Sequence, residues 1–281
     1  MTRIASVAIL AIATAWPSIM VTSAQAQVPP DLRNPQIEVN YVEPKNPAYR
    51  PIYERLKKRQ VLEELRAFLA PLKLTKKLEI RTDECGNIHA RYKDGGPATI
   101  CYEYVATIEA AAPDDWLPIG GFKFVRQYAV AGAFVHEALY EVSLASFDIL
   151  QIPVWGRDEY AADNAAGIIM LNFGRDVAYK TLMGTSWFLA QTSMSGAGPF
   201  GYARGADVDA QRFYNYLCLA YGADPALFGF VRPLLQRRAQ NCSGEYESVR
   251  AAFLMTVMPH IDQGLLEKVK AQKWLLPDDG K

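Results

Sequence analysis

The chain has 281 residues, half of them apolar, and its 30 Lys plus Arg balance 30 Asp plus Glu. Neutral balance without a long run of either sign excludes an electrostatic reader of nucleic acid or of an anionic membrane surface. The apolar content is enough to bury a core in one domain or two small ones.

The chain opens with Arg3, an apolar run from Ile4 to Ile19 broken by Pro17, and small residues ending in Ala24-Gln25-Ala26. This is the layout of a secretory signal peptide over residues 1–26, with the mature chain starting at Gln27. The alternative, an uncleaved anchor, needs about 20 apolar residues, more than this run supplies. Later, the apolar stretch Tyr128 to Val135 is soon stopped by His136, Glu137 and Glu141, so no membrane span is expected after signal cleavage. The protein is therefore expected to be exported, to a periplasm or out of the cell. Four cysteines in such a chain favour two disulfides with three connectivities open. Pairing Cys85 with Cys101 and Cys218 with Cys242 is favoured, each closing a short loop worth about 3 kcal/mol. Metal binding by the cysteines finds no Cys-x-x-Cys spacing to support it.

Residues 27–50 hold Pro29, Pro30, Pro35, Pro44 and Pro47 and show no period, so an extended leader is expected ahead of a single domain over 51–281. From Pro51 to Leu72, Ile52, Leu56, Val61, Leu62, Leu65, Phe68 and Leu69 recur at the spacing of an amphipathic helix. Leu78–Thr82, Ile88–Tyr92 and Ala98–Ile108 are rich in β-branched and aromatic residues, and predict a small antiparallel sheet with a hairpin turning at Asp94-Gly95-Gly96. A tight turn there sets Cys101 opposite residue 90 and not 85, so the first disulfide requires a bend, at Gly86. Helices are expected at 122–147, 158–173, 176–190, 207–221, 225–239, 244–257 and 262–273, with a loop of flexible composition from Ser193 to Pro199. Sheet first and helix bundle after is an α+β architecture.

Within the expected helix 122–147 lies His136-Glu137-Ala138-Leu139-Tyr140. The intact form of this motif places two histidines, at i and i+4, on one helical face around zinc, while the glutamate between them acts on the metal-bound water. Only half of that pair is present, and a bare His-Glu dipeptide arises easily by chance. Some twenty residues on, Trp155-Gly156-Arg157-Asp158-Glu159-Tyr160-Ala161-Ala162-Asp163 opens another helix with Glu159 and Asp163 one turn apart. That layout suits a third metal ligand and a carboxylate behind the metal-binding histidine. Acids favoured by a helix N-terminus account for Asp158 and Glu159 equally, though less well for Asp163.

Several blocks extend the pattern: Glu84-Cys85-Gly86 with Ala90-Arg91-Tyr92, Ile100-Cys101-Tyr102-Glu103, and Gln211-Arg212-Phe213-Tyr214-Asn215 through Cys218 to Tyr221-Gly222-Ala223-Asp224-Pro225, then Cys242 and Glu245-Tyr246. Together with the two blocks above, over residues 50–258, the chain resembles a family of bacterial exported proteins grouped as metallopeptidases without an assigned substrate. The resemblance implies a zincin-like bundle, His136 and Glu159 as metal ligands, Glu137 as general base, and Asp163 orienting His136 through its other ring nitrogen. The strand Ala98–Tyr104, with Cys101, Tyr102 and Glu103, is implied as a peptide platform.

Two departures stand out: Tyr140 replaces the second metal histidine, and Ala206 stands where the family has a histidine upstream of Gln211. His89 and His260 lack the spacing to compensate and read as structural. A phenol titrates near 10, so Tyr140 is a poor zinc ligand. Zinc is therefore expected to be held weakly or not at all. The carboxylates Glu137 and Glu159 then need another cation, and a protonated His136 with Tyr140 donating a hydrogen bond is the expected one. Three readings follow: a pseudopeptidase that binds a peptide or envelope protein, an active metallopeptidase using His136, Glu159 and Tyr140 or water, and a structural envelope protein whose cleft is idle.

Overall fold

The computed structural model describes residues 31–87, 92–112, 117–119, 122–124, 126–193, 209–272 and 274. The expected signal peptide, His89, the loop beyond Ser193 and Ala206 lie outside the described residues.

The expected leader contains a strand. β1 (Ile37–Tyr41) lies between Pro35 and Pro44, and its alternation turns Ile37 into the core. The Tyr41 hydroxyl donates to Glu63 at 2.6 Å and accepts from the Leu62 amide at 2.8 Å, docking the strand on the helices that follow. The expected helix 51–72 is two helices, α1 (Arg50–Lys58) and α2 (Val61–Phe68), separated where Gln60 takes φ 53°.

β2 (Leu78–Asp83) and β3 (Ala98–Cys101) complete a sheet ordered β1-β2-β3 in which both pairings are parallel. This corrects the antiparallel expectation. The turn at Asp94-Gly95 forms, with the Gly96 amide on the Lys93 carbonyl at 2.7 Å and Gly95 at φ 73°, but it sits inside the crossover 84–97 and not between paired strands. A short strand alternates alike in either direction, so its pattern carries no sign of its partner's orientation. All four residues of β3 are buried, as strands in a covered parallel sheet are. The parallel register also accommodates the first disulfide. Cys101 pairs with Asp83, so Cys85 lies two residues past it; Gly86 bends the chain at φ 72°, and the two Cα atoms are 5.6 Å apart.

β3 runs directly into α3 (Tyr102–Ala111); a small antiparallel pair, β4 (Leu117–Ile119) and β5 (Phe122–Phe124), precedes the bundle. Its axis is α4 (Arg126–Ile149), whose 24 residues span about 36 Å. It is apolar nearly all round because α3, α5 (Asp158–Leu171), α6 (Arg175–Ser193) and β3 cover it. It stops where Gln151 takes φ 52° and the Ile152 amide reaches back to the Phe147 carbonyl at 2.9 Å. Next comes α7 (Asp209–Ala223). The expected helix 225–239 breaks into α8 (Pro225–Phe228), α9 (Arg232–Leu235) and 3-10 turns, since Pro233 has no amide to continue a ladder. α10 (Cys242–Thr256) and α11 (Gln263–Lys270) close the bundle, and Cys218–Cys242 joins α7 to α10. A helix-rich α+β fold is therefore what the sequence describes, with a parallel sheet. Among the described residues no helix is long and apolar enough to cross a membrane.

α4 and α6 touch backbone to backbone. A Cβ at Gly184 would lie 2.0 Å from the Tyr128 carbonyl oxygen, and one at Gly132 would lie 2.7 Å from the Gly184 Cα. The Thr185 hydroxyl bonds across the crossing to the Gly132 carbonyl at 3.1 Å. Gly184→Val must separate the helices, and by chemical denaturation it is expected to cost at least the ~1–3 kcal/mol typical of overpacking. Gly244→Ala on α10, where an added Cβ meets nothing within 4 Å, is expected to lose no stability.

Candidate functional site

α4 carries His136 and Glu137 into the interior, each 2% exposed. One turn on, Glu141 is also buried and accepts the Tyr92 amide at 2.8 Å, which ties the end of the β2–β3 crossover to the helix. Tyr140 is half-buried and lies with its ring centroid 6.0 Å from that of His136. Asp163 projects from α5, and its Oδ1 is 3.0 Å from His136 Nε2.

The cation that faces Asp163 comes from α7. Arg212 donates through Nε to Asp163 Oδ2 at 2.7 Å and through Nη2 to Oδ1 at 2.8 Å, a bidentate fork. Its Nη2 lies 3.3 Å from His136 Nε2, and Nη1 lies 3.4 Å from Asp209. The guanidinium also covers the Tyr140 ring, 5.4 Å from its centroid, a cation–π contact. One turn along α7, the Tyr216 hydroxyl donates to the Asp163 carbonyl at 2.8 Å, and its ring meets His136 edge-on at 5.2 Å.

Each charge in this cluster depends on the others. Burial works to raise the Asp163 carboxyl, but Arg212 and the hydrogen bond from His136 outweigh it and hold the group well below the ordinary carboxylate range. Burial likewise opposes the charge on Arg212, and Asp163 restores it. Burial pushes the Tyr140 phenol above its ordinary value against the pull of Arg212. The Tyr104 phenol, on α3, is raised first by burial and then by the Glu137 charge, and donates to the Ala133 carbonyl of α4 at 3.1 Å.

The family model described as "Putative metallopeptidase" matches residues 41–255. The chain belongs to this family. No curated protein and no solved structure matches it. The matched span contains every member of the cluster, from His136 through Asp163 to Arg212.

For a member of a metallopeptidase family, the donor set does not fit zinc. His136 directs Nε2 at both Asp163 and the Arg212 guanidinium, so that nitrogen is engaged within the protein whichever tautomer the ring takes. The same atom has a permanent cation 3.3 Å away. Tyr140 would have to ionise to bind metal, and burial opposes that. Among the described residues, the metal-binding atoms of His, Cys, Asp and Glu converge in threes at Cys85, Cys101 and Glu103 alone, where the two sulfurs are already bonded to each other.

The remaining sequence expectations fall as follows. Glu159 sits half-buried in the first turn of α5, one turn before Asp163, and it is Asp163 that reaches His136. Tyr140 enters the cluster by its ring face, beneath the Arg212 guanidinium, and among the described residues no hydrogen bond from its hydroxyl into the cluster is seen. A cation does stand beside His136, the guanidinium of Arg212, and the carboxylate it pairs with is that of Asp163. Of the proposed peptide platform, Cys101 ends a fully buried strand, and Tyr102 and Glu103 begin α3. The Tyr102 hydroxyl bonds to the Val42 carbonyl at 2.7 Å, while Glu103 accepts the amides of Cys85 and Gly86 at 3.1 and 2.7 Å, so both hold the disulfide corner together. His260 ends a short 3-10 turn, and its carbonyl accepts the Lys73 amide at 2.8 Å. In the sequence Arg212 stands in a family block with no role marked for it, and nothing singles out Tyr216. The available signal was their spacing, i and i+4, on a helix otherwise rich in aromatics.

Proposed function

We propose that this exported member of a metallopeptidase family is a pseudopeptidase: it keeps the scaffold, holds a fixed Arg212 cation against His136 and Asp163, and binds a peptide or envelope protein without cutting it. The observation that supports it is the Arg212–Asp163 fork against His136 Nε2. The guanidinium neutralises the buried carboxylate beside His136 and sets a fixed positive charge 3.3 Å from the imidazole, which disfavours a second cation there. A peptide as ligand rests on family membership, and export rests on the leader sequence together with the two disulfides. Glu137, the general base of the implied mechanism, then serves as a buried charge beside Tyr104.

Counting bound zinc by elemental analysis tests the reading, on untagged protein equilibrated with micromolar zinc. The wild type and Tyr140→His are both expected to hold far less than one zinc per chain, because Arg212 remains in place in each. Tyr140→His combined with Arg212→Ala is expected to gain zinc. Near-stoichiometric zinc in the wild type, or peptide hydrolysis that Glu137→Gln abolishes, would overturn the pseudopeptidase.

A further inference from the structure

A second concavity lies away from this cluster, formed by later turns of the same helices. It is lined by Val142 and Phe147 of α4, Ile168 of α5, Phe253 and Leu254 of α10 and Val269 of α11, and its volume is about 300 Å³. That is the lower end of the range for small-molecule sites. Its floor is buried, with Val142 3%, Ile168 2% and Val269 2% exposed, while Leu254 at the rim is 43% exposed.

The chemistry of the lining is one-sided. The hydroxyls of Ser143 and Ser146 turn back onto their own helix, each donating to a carbonyl four residues earlier at 2.7 Å, and the Asn172 amide does the same to Ile168. A space of this kind offers water few partners, while leaving it empty forfeits dispersion contacts on every side. No carboxylate is among the described lining residues, but Arg250 and Lys270 are. Both stand where the cavity meets solvent, their side chains 44% and 40% exposed. Each is held by a carboxylate three residues away, Glu247 at 2.8 Å and Glu267 at 3.0 Å, in exposed pairs that are easily given up.

We infer that this cavity binds a long-chain fatty acid, its hydrocarbon chain between α4–α5 and α10–α11 and its carboxylate between Arg250 and Lys270. The apolar wall selects the chain, and two cations at the mouth, with no acid among the described lining residues, select the head. The site shares no residue with the His136 cluster, so it stands or falls independently of the pseudopeptidase.

The test is equilibrium dialysis of the delipidated full-length protein with labelled palmitate, and with hexadecanol as the uncharged counterpart. Palmitate is expected to saturate at one per chain. Ile168→Trp, which fills the cavity, is expected to abolish binding of both ligands; Leu254→Trp, at a position already 43% exposed, serves if the first variant does not fold. Arg250→Glu with Lys270→Glu is expected to weaken palmitate by about tenfold and leave hexadecanol unchanged. Absence of saturable palmitate binding, or binding undiminished in a folded tryptophan variant, overturns the site. An equal loss for both ligands on charge reversal overturns the role given to the cations.

Discussion

Replacing Asp163 with alanine is expected to lower the free energy of unfolding by about 3–5 kcal/mol, the scale for breaking a buried ion pair from one side. The variant leaves the Arg212 guanidinium in a site where its side chain is 13% exposed, and removes the carboxylate beside His136 Nε2, while the Tyr216 hydroxyl keeps its bond to the carbonyl of residue 163. Arg212→Ala is expected to cost a similar amount, since it strands the carboxylate. Asp163→Leu combined with Arg212→Met removes both charges and is expected to recover much of either loss, because neither group then has to be desolvated. Urea unfolding of the four proteins gives the coupling directly, and a single-variant loss below about 1 kcal/mol would mean that the pair behaves as a surface bridge. The same carboxyl sets an acid limit. Its folded-state value is depressed, so its stabilisation is complete above the unfolded value near 3.9 and is lost as pH falls through the lower folded value. The stability difference between wild type and Asp163→Asn is therefore expected to stay level from neutrality to about pH 4 and to shrink below it.

Removing Cys218–Cys242 is the other large effect. The bond closes a loop with a sequence separation of 24 residues, for which chain entropy gives about 3.5 kcal/mol. Close packing surrounds it: a Cβ at Gly222 would lie 2.1 Å from the Cys242 carbonyl oxygen, so α7 and α10 are in backbone contact beside the sulfurs. Cys218→Ala with Cys242→Ala is expected to lose about that amount in urea. Since α7 also carries Arg212 and Tyr216, amide exchange near α7 should rise with it. A double variant as stable as the wild type would show that packing alone fixes α7.

How much of this could be read from sequence differs by element. α4 is legible because its apolar run is long and free of proline, whereas the pairing of His136 with Asp163 follows from the family resemblance, since two acids on one helical face do not say which side chain they meet. The disulfides were legible from cysteine positions and short loops. The direction of the sheet was not, since the Asp94-Gly95 turn is real but belongs to a crossover. β1 was hidden by prolines that flank the strand without interrupting it. Arg212 meets Asp163 across 49 residues of chain, and no local spacing announces such a contact. An arginine in a helix otherwise reads as a solvated residue.

The Arg212 fork also bears on which neighbouring sequences are within mutational reach. Tyr140→His alone trades an aromatic face beneath the guanidinium for an imidazole and gives up the contact at 5.4 Å. Loss of Arg212 alone strands Asp163. Each single step toward a metal-binding cluster is thus expected to cost stability before any metal is gained, so the fork works as a latch that only paired change releases.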